Sequence, residues 1–479
     1  MLAALDRHAN LTMNQYKLVA AAVFGFGLEF LDYFLIAFVL TFVTSSWHLS
    51  FGMSAVILLS SGIGSMIGAP FFGLLADRIG RRKVFMITIA IFSVSTFALC
   101  LTPDDKDLGW IYLTAFRLLI GFGAGGLVCV DLPLVQEFMP AQKRGVITGL
   151  ITSSTPVAFF LGSVLVAYVS PYVGWRGLMA ICFGLSFITL LIRSWIPESP
   201  RWLLANNRVR EARNSVAWAL QVDPKTLPLD PENKASNKPS FRDLLKYPRS
   251  LIVSWITNLG AQTGYYGLTL WTPVLLVQLL HLSPAQVGSY MMVITLCAFA
   301  GRIVLSLLSE KIGRRGTGVL CSFGAAAALS LAAFAGEAQV GVVPLFLLFL
   351  MISYFFGEGG FAIVAPYSAE VWPSALRTTG MGSAYGFGGL GKIIGPLGLA
   401  VVVGSSNLVL PAASSAAVTP AFLYFAAWYA LAGLMYLFVG FETRNRSIED
   451  IDRGLDQPAL PNGAGILNSN LETKPTLVR

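Results

Sequence analysis

Gly73-Leu74-Leu75-Ala76-Asp77-Arg78-Ile79-Gly80-Arg81-Arg82-Lys83 sets a knot of charge between two long apolar runs. The chain uses the pattern twice. Leu307-Leu308-Ser309-Glu310-Lys311-Ile312-Gly313-Arg314-Arg315 again joins two apolar runs, with Glu310 in the place of Asp77 at an offset of 310 − 77 = 233 residues. The same offset carries Glu137 onto Glu370, Pro140 onto Pro373 and Arg144 onto Arg377. Two motifs repeating in one register divide the chain into homologous halves, the mark of a membrane protein assembled from internal repeats.

Composition agrees. Of 479 residues, 55% are hydrophobic and only 12% charged, which places the chain in the membrane class. The charges cluster in short breaks between apolar stretches of about 20 residues, the length a helix needs to cross the hydrocarbon core. Backbone groups in lipid must be satisfied internally, so those stretches are predicted to be helices. There are twelve of them, six on each side of a long polar break at 197–249. The expected organisation is an N-terminal six-helix unit (1–196), a soluble linker (197–249) with a short amphipathic helix near 208–220, a C-terminal six-helix unit (250–441) and a polar tail (442–479). The polar start up to Tyr16 and the length of the first apolar run predict a first span in place of a cleavable signal.

The net charge of +8 does not point to nucleic acid, because the Lys and Arg sit in short loops beside apolar helices with no interleaved stacking aromatics. They fall on one side of the predicted bundle. Arg78, Arg81, Arg82, Lys83, Lys143, Arg144, the linker, Lys311, Arg314, Arg315 and Arg377 share that side, whereas the opposite loops are nearly bare and 103–107 is acidic. The positive-inside rule then predicts cytoplasmic termini and linker, in an inner or plasma membrane. Cys100, Cys129, Cys182, Cys297 and Cys321 lie in or beside apolar runs with no CxxC pair. They read as small core residues, and no metal site is expected.

The repeated loop resembles the signature between the second and third helices of the major facilitator superfamily. Arg117 through Gly121 with Glu137, Pro140 and Arg144-Gly145, then Pro197-Glu198-Ser199-Pro200-Arg201-Trp202, then Glu442-Thr443-Arg444 resemble its sugar-porter branch. The resemblance covers nearly the whole chain. It implies an all-α integral membrane protein with twelve transmembrane helices in two pseudo-symmetric six-helix bundles, alternating access about a central site, and no enzymatic activity.

Some patterns belong to other chemistries and are set aside. Gly121–Gly126 and Gly386–Gly391 both fit GxGxxG, but neither follows a strand; both lie in apolar helices, where glycines allow close packing. Gly386–Lys392 imitates a phosphate loop, yet Ile393 stands where a magnesium-binding Ser or Thr is needed. No cofactor is expected, so uphill work would draw on a proton gradient.

The loop charges Asp77, Arg81, Glu137 and Arg144 and their counterparts Glu310, Arg314, Glu370 and Arg377 have two readings. One is topology and helix capping. The other is a cytoplasmic gate of charge pairs that join the two bundles; the family resemblance implies that it stabilises the outward-open form.

Ionisable groups within the spans are few: Glu29, Asp32, Arg117, Asp131, Arg302, Glu358 and Lys392. Each is costly in the bilayer and marks a pair or a wet cavity. Glu29 and Asp32 are three apart and share a helix face. In proton-coupled sugar porters a first-helix Asp lies near a fourth-helix Arg, and Asp32-Tyr33 and Arg117 sit at similar positions, so the resemblance proposes a proton switch with Glu29 as the rival carboxylate. The other reading of Asp32 and Arg117 is a static buried pair.

For the substrate, Gln262 resembles the sugar-porter glutamines, but its neighbour is Ala261, and the tenth span has Pro366-Tyr367 without a stacking Trp. Lys392, amid glycines, suits a carboxylate, or else it serves as partner to Glu358 or Asp131. Tyr33, Tyr265, Tyr266 and Tyr385 are candidate cavity walls. The leading expectation is a monomeric proton symporter of a small organic anion, such as an aromatic acid, with lipid, proton and substrate as its partners. A sugar or polyol symporter, an exporter of organic cations (favoured by Glu29, Asp32, Asp131 and Glu358) and a non-transporting membrane sensor remain as alternatives.

Overall fold

A computed structural model of the chain describes residues 2–7, 10–140, 143–228, 241–336, 338–341, 343–373, 376–444 and Leu455. Of the expected tail, only the first few residues and Leu455 fall among them. The apolar runs are helices. In the first half these are α1 (Met13–Val43), α2 (Phe51–Ile79), α3 (Arg81–Cys100), α4 (Lys106–Glu137), α5 (Arg144–Thr152, Ser154–Val164 and a π-turn over Leu165–Val169) and α6 (Ser170–Ser194). The second half holds α7 (Pro248–Leu280), α8 (Pro284–Ile312), α9 (Arg314–Phe334), α10 (Leu345–Glu370), α11 (Arg377–Gly388 and Gly391–Val403) and α12 (Pro411–Leu434 and Met435–Val439).

Among the described residues, ten stretches are long and apolar enough to cross a membrane. One of them, Val146–Ser194, contains both α5 and α6, broken at Gly174 by a φ of +65°. The twelfth span is α7, whose Asn258, Gln262 and Thr263 are buried within the protein, as expected for a helix packed on all sides by others. The chain is thus a twelve-helix membrane protein.

Local chemistry sets the ends. Thr12 accepts from the Gln15 amide and Gln15 returns the bond to Thr12, a capping box that starts α1, and Ser283 with Gln286 does the same for α8. Gly80 and Gly313, with φ of +106° and +88°, turn α2 into α3 and α8 into α9. A side chain at either would meet a carboxylate as well as the strained backbone, Glu198 at the first and Glu442 at the second.

The repeat visible in the sequence returns as packing. A Cβ at Gly64, Gly68, Gly121 or Gly125 would overlap the facing backbone between α2 and α4, so the Gly121–Gly126 run is a packing rib. Gly68 meets Phe122, and Gly301 of α8 meets Phe355 of α10 in the same way, each residue 233 positions after its counterpart (301 − 68 and 355 − 122). In the other glycine run, Gly388 and Gly391 lie against Gln262 and Thr263 of α7.

The two halves meet on the side opposite the basic loops. There the Phe51 amide donates to Asn407 (2.9 Å), Gly52 to Ser405 (2.9 Å) and Val409 to Leu49 (3.1 Å), and the Phe51 and Trp271 rings lie 5.5 Å apart. At the basic face the ion pairs and hydrogen bonds of Arg81, Glu137, Arg314 and Glu370 lie within one half or the other. The helices Pro200–Ala205 and Val209–Leu220 bind the first half, with Asn14 donating to Trp218 (2.7 Å) and the Phe138 and Trp218 rings 5.9 Å apart. The 3₁₀ turn Phe241–Lys246 packs through Leu244 into a cluster of the second half. The backbone bonds that join the halves thus lie on the bare face.

If the glycine rib sets the α2–α4 spacing, Gly121→Ala should cost about 1–3 kcal/mol through overpacking, lowering the melting temperature of the detergent-solubilised protein. Gly184→Ala, at a site with nothing within 4 Å, should leave it unchanged or raise it.

Candidate functional site

The site is built around α1, which is buried almost continuously from Leu28 to Thr41 because it packs against both halves. Of its two acids, Asp32 is clamped. Arg117 Nη1 of α4 donates to Asp32 Oδ2 at 2.5 Å and Nη2 donates to Ser61 Oγ of α2 at 3.1 Å, with both charged side chains at most 2% exposed. The three helices are locked at one level. The sequence expectation that Asp32 takes up a proton requires this pair to open.

Two further ion pairs lie within the spans. Asp131 of α4 meets Arg193 of α6 at 2.5 Å, and the Arg193 guanidinium also stands 4.6 Å over the Phe85 ring of α3. In the other half, Arg302 of α8 meets Glu358 of α10 at 2.5 Å. Asp131 and Glu358, expected among the substrate-binding groups, are each paired here with an arginine of a neighbouring helix, and neither forms an ion pair with Lys392 among the described residues.

That leaves Glu29 and Lys392. Among the described residues neither forms an ion pair within 4.0 Å, and Glu29 is buried. Lys392 opens the second piece of α11, just past the break at Gly389-Leu390, where Gly62 of α2 lets its backbone come close. Its Nζ stands 5.0 Å from the Tyr266 ring, 5.3 Å from Tyr33 and 5.8 Å from Phe30. Each such face is worth about 0.5–2 kcal/mol to a cation. Tyr33 and Tyr266 meet edge to face at 5.4 Å and are 266 − 33 = 233 positions apart, so the repeat supplies both walls. Glu29 and Asp131 also line a small cavity of ≈ 10 Å³ between α1, α3 and α4, about the space of one water.

The remaining candidates surround this centre. Gln262 is buried and donates to Asn258 Oδ1 at 3.4 Å. Tyr265 packs at 5.0 Å from Phe361 and 6.1 Å from Tyr354. Tyr385, on the first piece of α11, is 36% exposed. Ser61 and Arg193 were missed. Ser61 carries no signal beyond a hydroxyl in an apolar run, whereas Arg193 was readable as a basic residue inside the last turns of a span.

At the basic face, the pairs expected to join the two bundles form within each bundle instead. Arg81 pairs with Glu137, and Arg314 with Glu310 at 2.7 Å and with Glu370 at 3.8 Å. Each cluster is completed by a loop carboxylate. Glu198 accepts from the Arg81 (2.9 Å) and Arg82 (3.0 Å) amides at the start of α3, and Glu442 accepts from the Arg314 (2.8 Å) and Arg315 (3.1 Å) amides at the start of α9. Ser199 donates to Glu137, as Thr443 does to Glu370 at 2.6 Å. Arg144 donates to the Gln136 and Met139 carbonyls, Arg377 opens α11 at the equivalent place, and Asp77 is exposed at the end of α2, its carbonyl accepting from Trp202 Nε1 at 2.9 Å.

Removing one member of a buried pair strands the other. Asp131→Asn should therefore destabilise the protein by about 3–5 kcal/mol, while the double variant Asp131→Leu with Arg193→Met should recover most of the loss. Thermal unfolding in detergent reads both.

Comparison with known proteins gives the same architecture. The chain is 32% identical over 400 residues to the niacin transporter NiaP of Acinetobacter baylyi, covering 80% of this chain and 87% of that protein. It is 26% identical over 362 residues to the cis,cis-muconate transport protein of the same organism, covering 74% and 80%. Among solved structures, the inward-open xylose transporter XylE of E. coli matches 92% of this chain and 99% of its own with a TM-score of 0.70 at 16% identity, a likeness of fold. The model of the sugar (and other) transporter family matches residues 16–455, and the chain belongs to that family of major facilitator transporters.

Proposed function

We propose that the chain imports small organic acid anions together with protons, by alternating access, as a monomer in an inner or plasma membrane with both termini in the cytoplasm. The observation that carries this reading is Lys392, a cation between the two halves with three aromatic faces about it and no ion-pair partner among the described residues. A carboxylate supplies the missing charge, and a planar substrate lies against Phe30, Tyr33 and Tyr266. The relatives named for niacin and cis,cis-muconate support an acid, aromatic or conjugated. Gln262, Tyr265 and Tyr385 are proposed as flanking contacts.

Export of organic cations is disfavoured, because Asp32, Asp131 and Glu358 are neutralised by arginines and leave Glu29 alone to attract a cation. Proton coupling is placed on the acid face of α1, where Glu29 and Asp32 lie one turn apart and Arg117 holds Asp32. The clusters around Arg81 and Arg314, with Asp77 and Arg144 in one half and Arg377 in the other, form the gate of the basic face, which is the cytoplasmic one by its charge.

Uptake into proteoliposomes under a pH gradient, with nicotinate and cis,cis-muconate as probes, tests the reading. Lys392→Gln should weaken binding of nicotinate at least about tenfold, a loss of some 1.4 kcal/mol, and leave its uncharged amide nearly unaffected. Equal losses for acid and amide would return Lys392 to a structural role, and saturable binding without proton-driven flux would mark a sensor.

A further inference from the structure

Four cations serve the interior of the bundle, and three of them already hold an acid. Arg117 meets Asp32, Arg193 meets Asp131 and Arg302 meets Glu358, each at 2.5 Å and each inside one half. Lys392 alone among these four has no ion pair among the described residues. From this inventory we infer that the site takes monocarboxylates and discriminates against dicarboxylates, because the end of the substrate remote from Lys392 meets only uncharged groups. The inference rests on the reading of Lys392 as the carboxylate anchor.

The surroundings of the ammonium show what that remote end encounters. Three sides are aromatic, with Tyr266 at 5.0 Å, Tyr33 at 5.3 Å and Phe30 at 5.8 Å. The rings continue outward through Phe361, 6.0 Å from Tyr266, to Tyr265, 5.0 Å from Phe361. Polar groups enter from α7, where Gln262 lies one turn before Tyr266 on the same face. Gly391, the chain neighbour of Lys392, packs directly on this part of α7: a Cβ there would stand 2.5 Å from the Thr263 amide nitrogen and 2.9 Å from the Thr263 hydroxyl. Gln262 Oε1 and the hydroxyls of Thr263, Tyr33 and Tyr265 are buried with no hydrogen-bond partner among the described residues. They suit a ring nitrogen, a hydroxyl or an amide. A hydroxyl can donate to a carboxylate oxygen, but it leaves the charge uncompensated.

The acid without an arginine does not alter the count. Glu29 precedes Phe30 on α1; ionised, it repels a second carboxylate, and protonated, it supplies no cation. A monoanion is therefore matched by Lys392, whereas a dianion keeps one full negative charge unmatched in a low-dielectric interior, which is penalised. Water that reaches the bound ligand screens part of this cost, and enclosure removes the screening. Transport should consequently discriminate more sharply than equilibrium binding.

The test uses the full-length protein in lipid nanodiscs near pH 7, where carboxylic acids of ordinary strength are ionised. The probes are nicotinate, its amide, and two diacids each set against its own monomethyl ester, pyridine-3,5-dicarboxylate and cis,cis-muconate. Each ester keeps the size of its diacid and lacks one charge. Each diacid should bind at least about tenfold more weakly than its ester. Gln262→Lys, which adds a cation on the α7 face that carries Tyr266, should narrow that ratio by at least about fivefold. Diacids that bind as tightly as their esters overturn the inference and leave Lys392 as anchor, and so does an unchanged ratio in Gln262→Lys protein that still binds nicotinate. Should the wild type bind nicotinate no better than its amide, the reading of Lys392 fails and the inference falls with it. The ligand ratios are measured on the wild type, so poor folding of Gln262→Lys does not stop the test.

Discussion

A charge removed from water must be matched, because leaving it alone costs several kcal/mol, and the interior of this bundle is laid out around that constraint. Asp32 with Arg117 ties α1 to α4, Asp131 with Arg193 ties α4 to α6, and Arg302 with Glu358 ties α8 to α10. Each bond lies inside one half. Such pairs add little net stability over apolar packing, but they hold their helices at one relative height, as registry pins. Between the halves stands Lys392 of α11, set against the Phe30 and Tyr33 rings of α1 and the Tyr266 ring of α7.

The duplicated clamp at the basic face follows the same economy in a wetter setting. Gly80 and Gly313 hold backbones that side chains rarely adopt, and the space above each is filled by a loop carboxylate that satisfies free amides at the start of the next helix. The helix N-terminus favours that negative charge. The two carboxylates, Glu198 and Glu442, are 244 apart (442 − 198) and not 233, so the stretches from Arg144 to Glu198 and from Arg377 to Glu442 differ in length by 11 residues while the clusters they complete are alike. Function at this face is therefore duplicated in space more faithfully than in numbering.

Much of this was legible in the chain. Run length and the register of the repeat lead to twelve helices in two units, and the spacing of Glu29 and Asp32 puts both on the inner face of α1. The approach of Asp32 to Arg117 follows from the family resemblance. The partners of Asp131 and Glu358 were not legible, since nothing in spacing says that a carboxylate in α4 will meet an arginine 62 positions later (193 − 131). The side on which the halves bond to each other was hidden as well, because the repeated motif alone does not say whether the ion pairs at Arg81 and Arg314 form within one half or between the two. Tyr33 and Tyr266 lay in the repeat register throughout; the tertiary fold makes them opposite walls of one cage.

The glycine ribs have a mechanical consequence. Helices in contact backbone to backbone, as α2 and α4 are at Gly64, Gly68, Gly121 and Gly125, cannot slide past one another, so each half moves as a stiff lever. With 29 residues, α2 is about 43 Å long at roughly 1.5 Å per residue. Its start is pinned at Phe51 and Gly52 to the end of α11, which makes that contact a fulcrum. A rotation of about 10° there would swing the far end of such a rod by about 7.5 Å, while the residues halfway along would shift by about half as much. Small repacking at the fulcrum is in this way geared up into a mouth at the opposite face.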